Sequence, residues 1–331
     1  MIASTPVIWP CWAALRRQVD AVMDVILHIG AHRTGTTTFQ TYMRDNATGL
    51  AARDIGFWGP RRTRGGLFSG ILPGAGAAKG RNLERRAVGR IKMHCVQAEN
   101  SGKRHLVISD ENMIGSVRSN LRSRGLYSAA GERLARYGQA FQDLKIRVFM
   151  SIRAQDRYWA SALGYGITRG RSVPDAQALE ILARSRRNWR DLITDVACAL
   201  PDAQITVLPF ETYVGQPDAQ LALMTGGDAP RTYARGWYNA TPHLPELRAI
   251  LEKRGDDSRA LVGSGRWQPF DRAQVMAMRE AYLDDLFWLH AGADGLATII
   301  EETGADRTGT NSAAALNFRG HPNEYQERVM V

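Results

Sequence analysis

Between Gly30 and Gly35, in the stretch "HIGAHRTGTTTFQ", the chain sets Arg33 and Thr34 inside a G-x4-G turn and then runs into Thr36, Thr37 and Thr38. The glycine spacing curls the backbone so that several N–H groups point inward. The threonines open a helix, whose first N–H groups lack intrahelical partners and carry partial positive charge. With the Arg33 cation this makes a site for a phosphate or a similar oxyanion. A second pair, Arg153 and Ser161 in "RAQDRYWAS", follows an apolar run. A guanidinium at a strand end and a hydroxyl on the next helix can clamp one phosphate. Pairing of Arg153 with Asp156, and a plain surface role for Ser161, are the alternatives. A third group, Asp110, Glu111 and Asn112, follows "HLVIS". Glu111 is the candidate general base; it could instead cap the next helix or pair with an arginine. His32, inside the loop, is the other candidate base, or a donor to phosphate. His105 starts its strand, which puts it at the opposite end of the sheet.

A nucleoside-triphosphate loop reads G-x4-G-K-[ST], with the lysine on the β/γ-phosphates and the hydroxyl on magnesium. Here Thr36 occupies the lysine position, and the cation has moved into the loop as Arg33. A charged diester or anhydride handled without a metal ion is the expectation.

Positioning these residues requires an α/β fold. The runs "VILHI" (25–29), "HLVIS" (105–109), "IRVFMSI" (146–152) and "ITVLPF" (205–210) are short, apolar and without polar alternation. That is the pattern of parallel strands covered on both faces. Helical stretches are expected at Thr36–Arg44, Leu83–Gln97, Gly131–Leu144 and from Tyr158 onward. Strands alternating with helices give a three-layer, mostly parallel sheet, whose ligands bind beyond the strands' carboxyl ends. Residues 59–82 are rich in Gly and Arg, without periodicity, as a loop or lid would be. The C-terminal half is helical, over Asp175–Leu200, Leu244–Arg254 and Asp271–His290. Residues 1–22 read as a loose extension, with Met1 or Met23 as the start, 23–305 as one domain and 306–331 as a tail.

The loop resembles the 5′-phosphosulfate loop of sulfotransferases, commonly K-[ST]-G-T-[ST], with Arg33 in place of the family lysine. Arg153 and Ser161 resemble the family's R-x7-S, which binds the donor's 3′-phosphate. "ITVLPFETY" is similar to a strand that puts an aromatic residue near adenine, here Phe210, for which core packing is the other role. "GSGRWQPFDRAQVMAMREAYLDDLFWL" is similar to a C-terminal element in which Gly265 and Arg266 would close over the 3′-phosphate; Ser264 stands where lysine is common. The resemblance spans Val25 to His290. It implies a P-loop-like topology and 3′-phosphoadenosine 5′-phosphosulfate (PAPS) as donor. Within the family, glycan-directed members use a glutamate base and small-molecule members a histidine. It assigns donor contacts to Gly30, Arg33, Thr34, Gly35, Thr36, Thr37, Arg153, Ser161, Phe210 and Arg266, and catalysis to Arg33 with Glu111 or His32.

Composition agrees with an anionic partner: the 331 residues carry a formal net charge of +10. The 44% hydrophobic content allows a sizeable core. Cys11, Cys95 and Cys198 have no metal-ligand spacing, so no metal is expected and a reducing compartment fits. No apolar run is long enough to span a bilayer, and Arg16 and Arg17 follow the N-terminal apolar stretch, the wrong order for a cleaved signal. The expectation is a cytoplasmic sulfotransferase acting on a hydroxyl or amine acceptor such as a glycan. The rivals are a kinase-like phosphotransferase and a non-catalytic nucleotide- or nucleic-acid-binding module. No aromatic-interleaved basic motif supports a nucleic-acid partner.

Overall fold

The computed structural model describes residues 23–72 and 81–301. The expected extension at 1–22, residues 73–80 of the Gly/Arg-rich segment and the stretch 302–331 lie outside the described residues.

One sheet organises the chain. Its strands are β1 (Asp24–His28), β2 (Ile55–Trp58), β3 (His105–Ser109), β4 (Ile146–Ile152), β5 (Gln204–Pro209) and β6 (Thr298–Ile299). They lie in the order β2-β3-β1-β4-β5-β6, every neighbouring pair parallel. The longer helices are α1 (Thr36–Asp45), α2 (Arg81–Asn100), α3 (Ala130–Phe141), α4 (Gln155–Thr168), α5 (Trp189–Ala199), α6 (Leu244–Arg254) and α7 (Arg272–His290).

The strands divide their apolar side chains between two faces, as a two-residue period requires. Val25 and Leu27 of β1, Leu106 and Ile108 of β3, and Val148, Met150 and Ile152 of β4 share one core with α2 to α7. Ile26, Val107 and Phe149 point the other way, into a second core. There they meet Phe39, Tyr42 and Met43, which line one face of α1, and Leu221 and Met224 of the helix Pro217–Thr225. Two cores, one on each side of a single sheet, make three layers.

The two outer strands, β2 and β6, have no counterpart among the four runs read from the sequence. Each is too short to give a period, and β2 contains Gly56. The expected long helix over 175–200 is two helices, Ala176–Ala183 and α5. Asn188 starts the second by exchanging hydrogen bonds with Asp191, a capping box. Residues 60–67, expected as loop, form a helical turn that widens to π geometry at Thr63–Leu67. Among the described residues no helix is long and apolar enough to cross a membrane.

Strand order places the site. The chain leaves β1 to one side for β2 and β3, then crosses back to lay β4 on the other side. The loops after β1 and β4 therefore border one crevice at the carboxyl ends of the sheet.

Candidate anion site and its carboxylate neighbour

The β1–β4 ladder continues into the loop. The Ile29 N–H donates to the Phe149 carbonyl at 3.1 Å, and the Ala31 N–H to the Ser151 carbonyl at 3.0 Å. These bonds pin the loop's first half. Gly30 lies in it, where an added Cβ would touch Ser151 N and Thr34 Oγ1 at 3.4 Å. The Thr34 hydroxyl, buried, donates back to the Ala31 carbonyl at 2.5 Å, and the Thr36 hydroxyl reaches the same carbonyl at 3.5 Å. Arg33 and Gly35 both adopt left-handed backbone, with φ of 68° and 80°. Left-handed residues alternating with ordinary ones turn successive N–H groups into one concavity. Gly35 is the N-cap of α1; among the described residues no side chain caps this end, and its first turn has no acidic residue. The positive end of α1 is left open to an anion.

Arginines crowd this concavity. Arg153, at the end of β4, donates from Nη1 to the Arg33 carbonyl at 3.0 Å. Its guanidinium stacks 4.4 Å over the Phe210 ring, whose Cε2 lies 3.8 Å from where a Cβ on Gly35 would sit. The Arg153 Nε is buried without a partner among the described residues. Burial, then the nearby Arg157, Arg266 and Arg33, push Arg153 down to about 10 against the pull of Glu211. Arg33 is lowered by burial, with Arg266 adding to it. Like charges held together in a partly buried cleft repel, and an anion among them removes the repulsion.

The sequence spacing paired Arg153 with Ser161; the structure links them through Arg33 instead. Arg33 Nε donates to Ser161 Oγ at 3.0 Å. Its Nη2 donates to Thr241 Oγ1 at 2.8 Å and to the Asn239 carbonyl at 2.9 Å. The guanidinium stacks on Tyr165, 5.1 Å from the ring centroid. Asp156, the alternative partner of Arg153, pairs with Arg279 at 3.2 Å. Arg266 is exposed in the loop before α7, and the Gly265 carbonyl accepts from the Leu244 N–H at 2.8 Å.

Glu111 stands at the carboxyl end of β3, just after Asp110. Its side chain is only 14% exposed. One oxygen accepts from Gln40 of α1 at 2.8 Å, the other from Arg64 at 3.0 Å. Burial works against its charge, but the Arg64 guanidinium, with His32 adding to it when that ring is protonated, outweighs burial and holds the carboxyl below its ordinary value. Asp110 caps the short turn Glu111–Met113 through the Asn112 N–H and binds both Thr63 and Arg64. Capping and arginine pairing, the structural roles considered for Glu111, are thus divided: Asp110 caps, and both carboxylates hold Arg64.

His32 is wired differently. Its backbone N–H donates to Tyr127 Oη at 2.7 Å. Its Nε2 lies 3.0 Å from Asn112 Oδ1, an acceptor, so Nε2 carries the proton. Nδ1 then accepts from the Tyr127 hydroxyl at 2.9 Å. Tyr158 donates to Tyr127 at 3.3 Å, and Asn120 to Tyr158 at 2.7 Å. Burial lowers the imidazole's pKa, and the chain of donors fixes one neutral tautomer. Both ring nitrogens are committed, which leaves Glu111 the freer proton acceptor. His105 Nδ1 lies 3.8 Å from an Asp24 carboxylate oxygen, at the amino ends of the strands, away from these groups.

His28 lies below the loop, buried against Phe39, with Nδ1 2.8 Å from Ser109 Oγ. Burial, opposed by Glu111, lowers its pKa from 6.5 to about 4. Because the folded value is the lower one, the unfolded chain takes up a proton first. Stability is therefore complete above pH 6.5 and falls as pH drops toward 4. The expected loss from this group by pH 4.5 is roughly 2 to 3 kcal/mol. Denaturant midpoints at pH 7 and 4.5 should differ more for the wild type than for His28→Gln. Equal differences would mean that His28 carries no such penalty.

Four participants left no local trace in the sequence reading: Gln40, Arg64, Tyr127 and Thr241. Gln40 alone had a usable signal. It lies one helical turn beyond Thr36 and Thr37, on the α1 face that meets the end of β3. No family model, no curated protein and no solved structure matches the chain.

Proposed function

We propose that the protein is a sulfotransferase that moves a sulfuryl group from PAPS to a hydroxyl or amine acceptor, such as a glycan. One observation carries the reading. Arg33 and Ser161, taken from two separate motifs of the resemblance, are hydrogen-bonded at the crevice, with Arg153 on the Arg33 carbonyl. Such a cluster of cations and hydroxyls at the open end of α1 suits a donor with phosphates at both ends of a ribose. In this reading the N–H groups of Gly30 and of Arg33 to Thr37, with Ala31 and His32 already bonded within the fold, take the 5′-phosphosulfate and stabilise charge on the leaving phosphate. Arg33, Arg153 and Ser161 take the 3′-phosphate, with Arg266 closing from outside. Phe210, already under Arg153, offers a ring edge to adenine. Glu111 accepts the acceptor's proton. The net step forms an acceptor O–S or N–S bond and breaks the bond from sulfur to the bridging oxygen. Adenosine 3′,5′-bisphosphate leaves, and the proton goes to Glu111.

The rival reading, a kinase-like phosphotransferase, has the strand–loop–helix geometry in its favour. It lacks the loop lysine, and Asp110, the carboxylate that follows β3, is already held by Thr63 and Arg64. Thermal unfolding separates the two. Adenosine 3′,5′-bisphosphate at a hundredfold excess over Kd should stabilise the protein by about 2.7 kcal/mol with no magnesium present. A shift seen only with ATP and magnesium would replace the sulfotransferase reading by the kinase one. A shift with oligonucleotide alone would point to a nucleic-acid module.

A further inference from the structure

The segment 236–241 lies across the mouth of the loop and is absent from the assignments above. The Tyr238 N–H donates to Thr38 Oγ1 at 3.1 Å, and Asn239 Nδ2 to Thr37 Oγ1 at 3.3 Å. Asn239 holds a left-handed φ of 59°, which turns its carbonyl onto Arg33. Two residues on, Thr241 enters between Arg33 and Ser161. Its methyl lies where α4 has Gly164: a Cβ there would come within 2.6 Å of Thr241 Cγ2, closer than real contacts allow. The glycine makes room for this threonine.

The hydrogen-bond count at this point does not close. Ser161 Oγ and Thr241 Oγ1 are 2.7 Å apart, so one of the two hydroxyls donates to the other. Each oxygen also accepts from Arg33. One hydroxyl proton therefore remains without an acceptor among the described residues, and so does Arg33 Nη1. The Asn239 carbonyl is the one strong acceptor present, a neutral oxygen facing a half-buried cation. A cluster with donors left over and a single carbonyl as acceptor is built for an oxyanion with several oxygens.

We propose that Thr241 is a donor-binding residue: with Arg33 and Ser161 it forms a three-residue clamp for a phosphate monoester, which takes over the place on Arg33 now held by the Asn239 carbonyl. The inference rests on the donor reading above and adds to it a further residue that distinguishes a 3′-phosphorylated nucleotide from one without that group. Segment 236–241 delivers the hydroxyl from a part of the chain remote from both motifs, so the clamp is complete only when this segment is seated on Thr37 and Thr38.

The test is calorimetric, with adenosine 3′,5′-bisphosphate and adenosine 5′-monophosphate as probes. Thr241→Val keeps the shape and the methyl contact with Gly164 but removes the hydroxyl. It should weaken the bisphosphate about 10-fold or more and leave the 5′-monophosphate within twofold of the wild type. Thr241→Ser should restore most of the loss. An unchanged melting temperature for the free Thr241→Val protein establishes that the segment is still seated. If Thr241→Val binds both nucleotides like the wild type, the clamp is wrong while the donor reading stands. If both nucleotides weaken equally, Thr241 serves the segment's placement, not the phosphate, and the proposal is overturned. If the wild type binds neither nucleotide, the donor reading and the clamp fall together.

Discussion

Glu111→Gln should leave the fold and donor binding intact and lower sulfuryl transfer by roughly 10²–10⁴-fold, the usual worth of a positioned general base. The fold should survive because Arg64 keeps its stronger partner. It reaches Asp110 at 2.6 Å and would lose only the 3.0 Å contact to Glu111. An ion pair with a half-exposed arginine is worth little. Gln40 can still meet the oxygen of the new amide. What the variant removes is the proton acceptor. The pH profile tests the same assignment. Glu111 sits below its ordinary value, so transfer should stay on as pH falls until it drops below the usual carboxylate range. The groups facing it are Arg64 from the turn after β2, Gln40 from α1, His32 and His28 from the β1 side, and Asp110 beside it. Arg64→Gln removes the lasting cation of that set and should move the acid limb upward. Release of adenosine 3′,5′-bisphosphate from PAPS, with an acceptor found by screening glycans, phenols and lipids, gives the readout. Normal turnover in Glu111→Gln together with lost turnover in His32→Ala would transfer the role to His32.

The parts of this arrangement that were readable in advance are those built from consecutive residues. β3 and β4 begin and end where their runs do, because a charged residue flanks each end, Arg104 and Asp110 for β3 and Lys145 and Arg153 for β4. The loop is readable because its glycines and threonines act through their own backbone. Strand-end logic also placed Glu111 and Arg153 at the crevice and His105 at the far end, since those positions follow from the direction of a parallel sheet. Contacts made across the sheet were not readable. Ser161 sits on α4 where its spacing puts it, yet it bonds Arg33, 128 positions away, and not the arginine that starts its motif. Nothing local to Ser161 encodes which arginine reaches it. Arg64 was hidden for a different reason. In a stretch of Gly and Arg every arginine looks alike, and only the π-type turn after β2 turns this one toward Asp110 and Glu111. Thr241 had no motif at all. Its role follows from a packing vacancy at Gly164 and from a backbone turn at Asn239, which are properties of the assembled fold.

The same cross-chain contacts change what Arg33 should do. The resemblance sets this arginine in the loop as a contact for the transferring group, so that Arg33→Ala would lower turnover more than donor affinity. The structure keeps the backbone of Arg33 in the loop but sends its guanidinium to Ser161 and Thr241. None of its hydrogen-bond partners belongs to the Glu111 group. On this geometry the larger effect of Arg33→Ala falls on binding. A charge-assisted contact to a phosphate, lost in a half-buried setting, is worth about 1.5–3 kcal/mol, which is roughly 10- to 150-fold in Kd for adenosine 3′,5′-bisphosphate. The 5′-monophosphate should lose far less, because the loop N–H groups that hold it remain. Arg33→Lys keeps the charge but not the planar fork that spans two hydroxyls and a carbonyl at once, so it should recover only part of the affinity. Burst-free steady-state kinetics with equilibrium binding on the same preparations decide between the two accounts. Weakened bisphosphate binding with a nearly normal kcat places the guanidinium on the 3′-phosphate. A kcat that collapses while Kd stays unchanged places it on the group in transfer, acting only as charge builds there, and requires the side chain to leave Ser161 before the reaction begins.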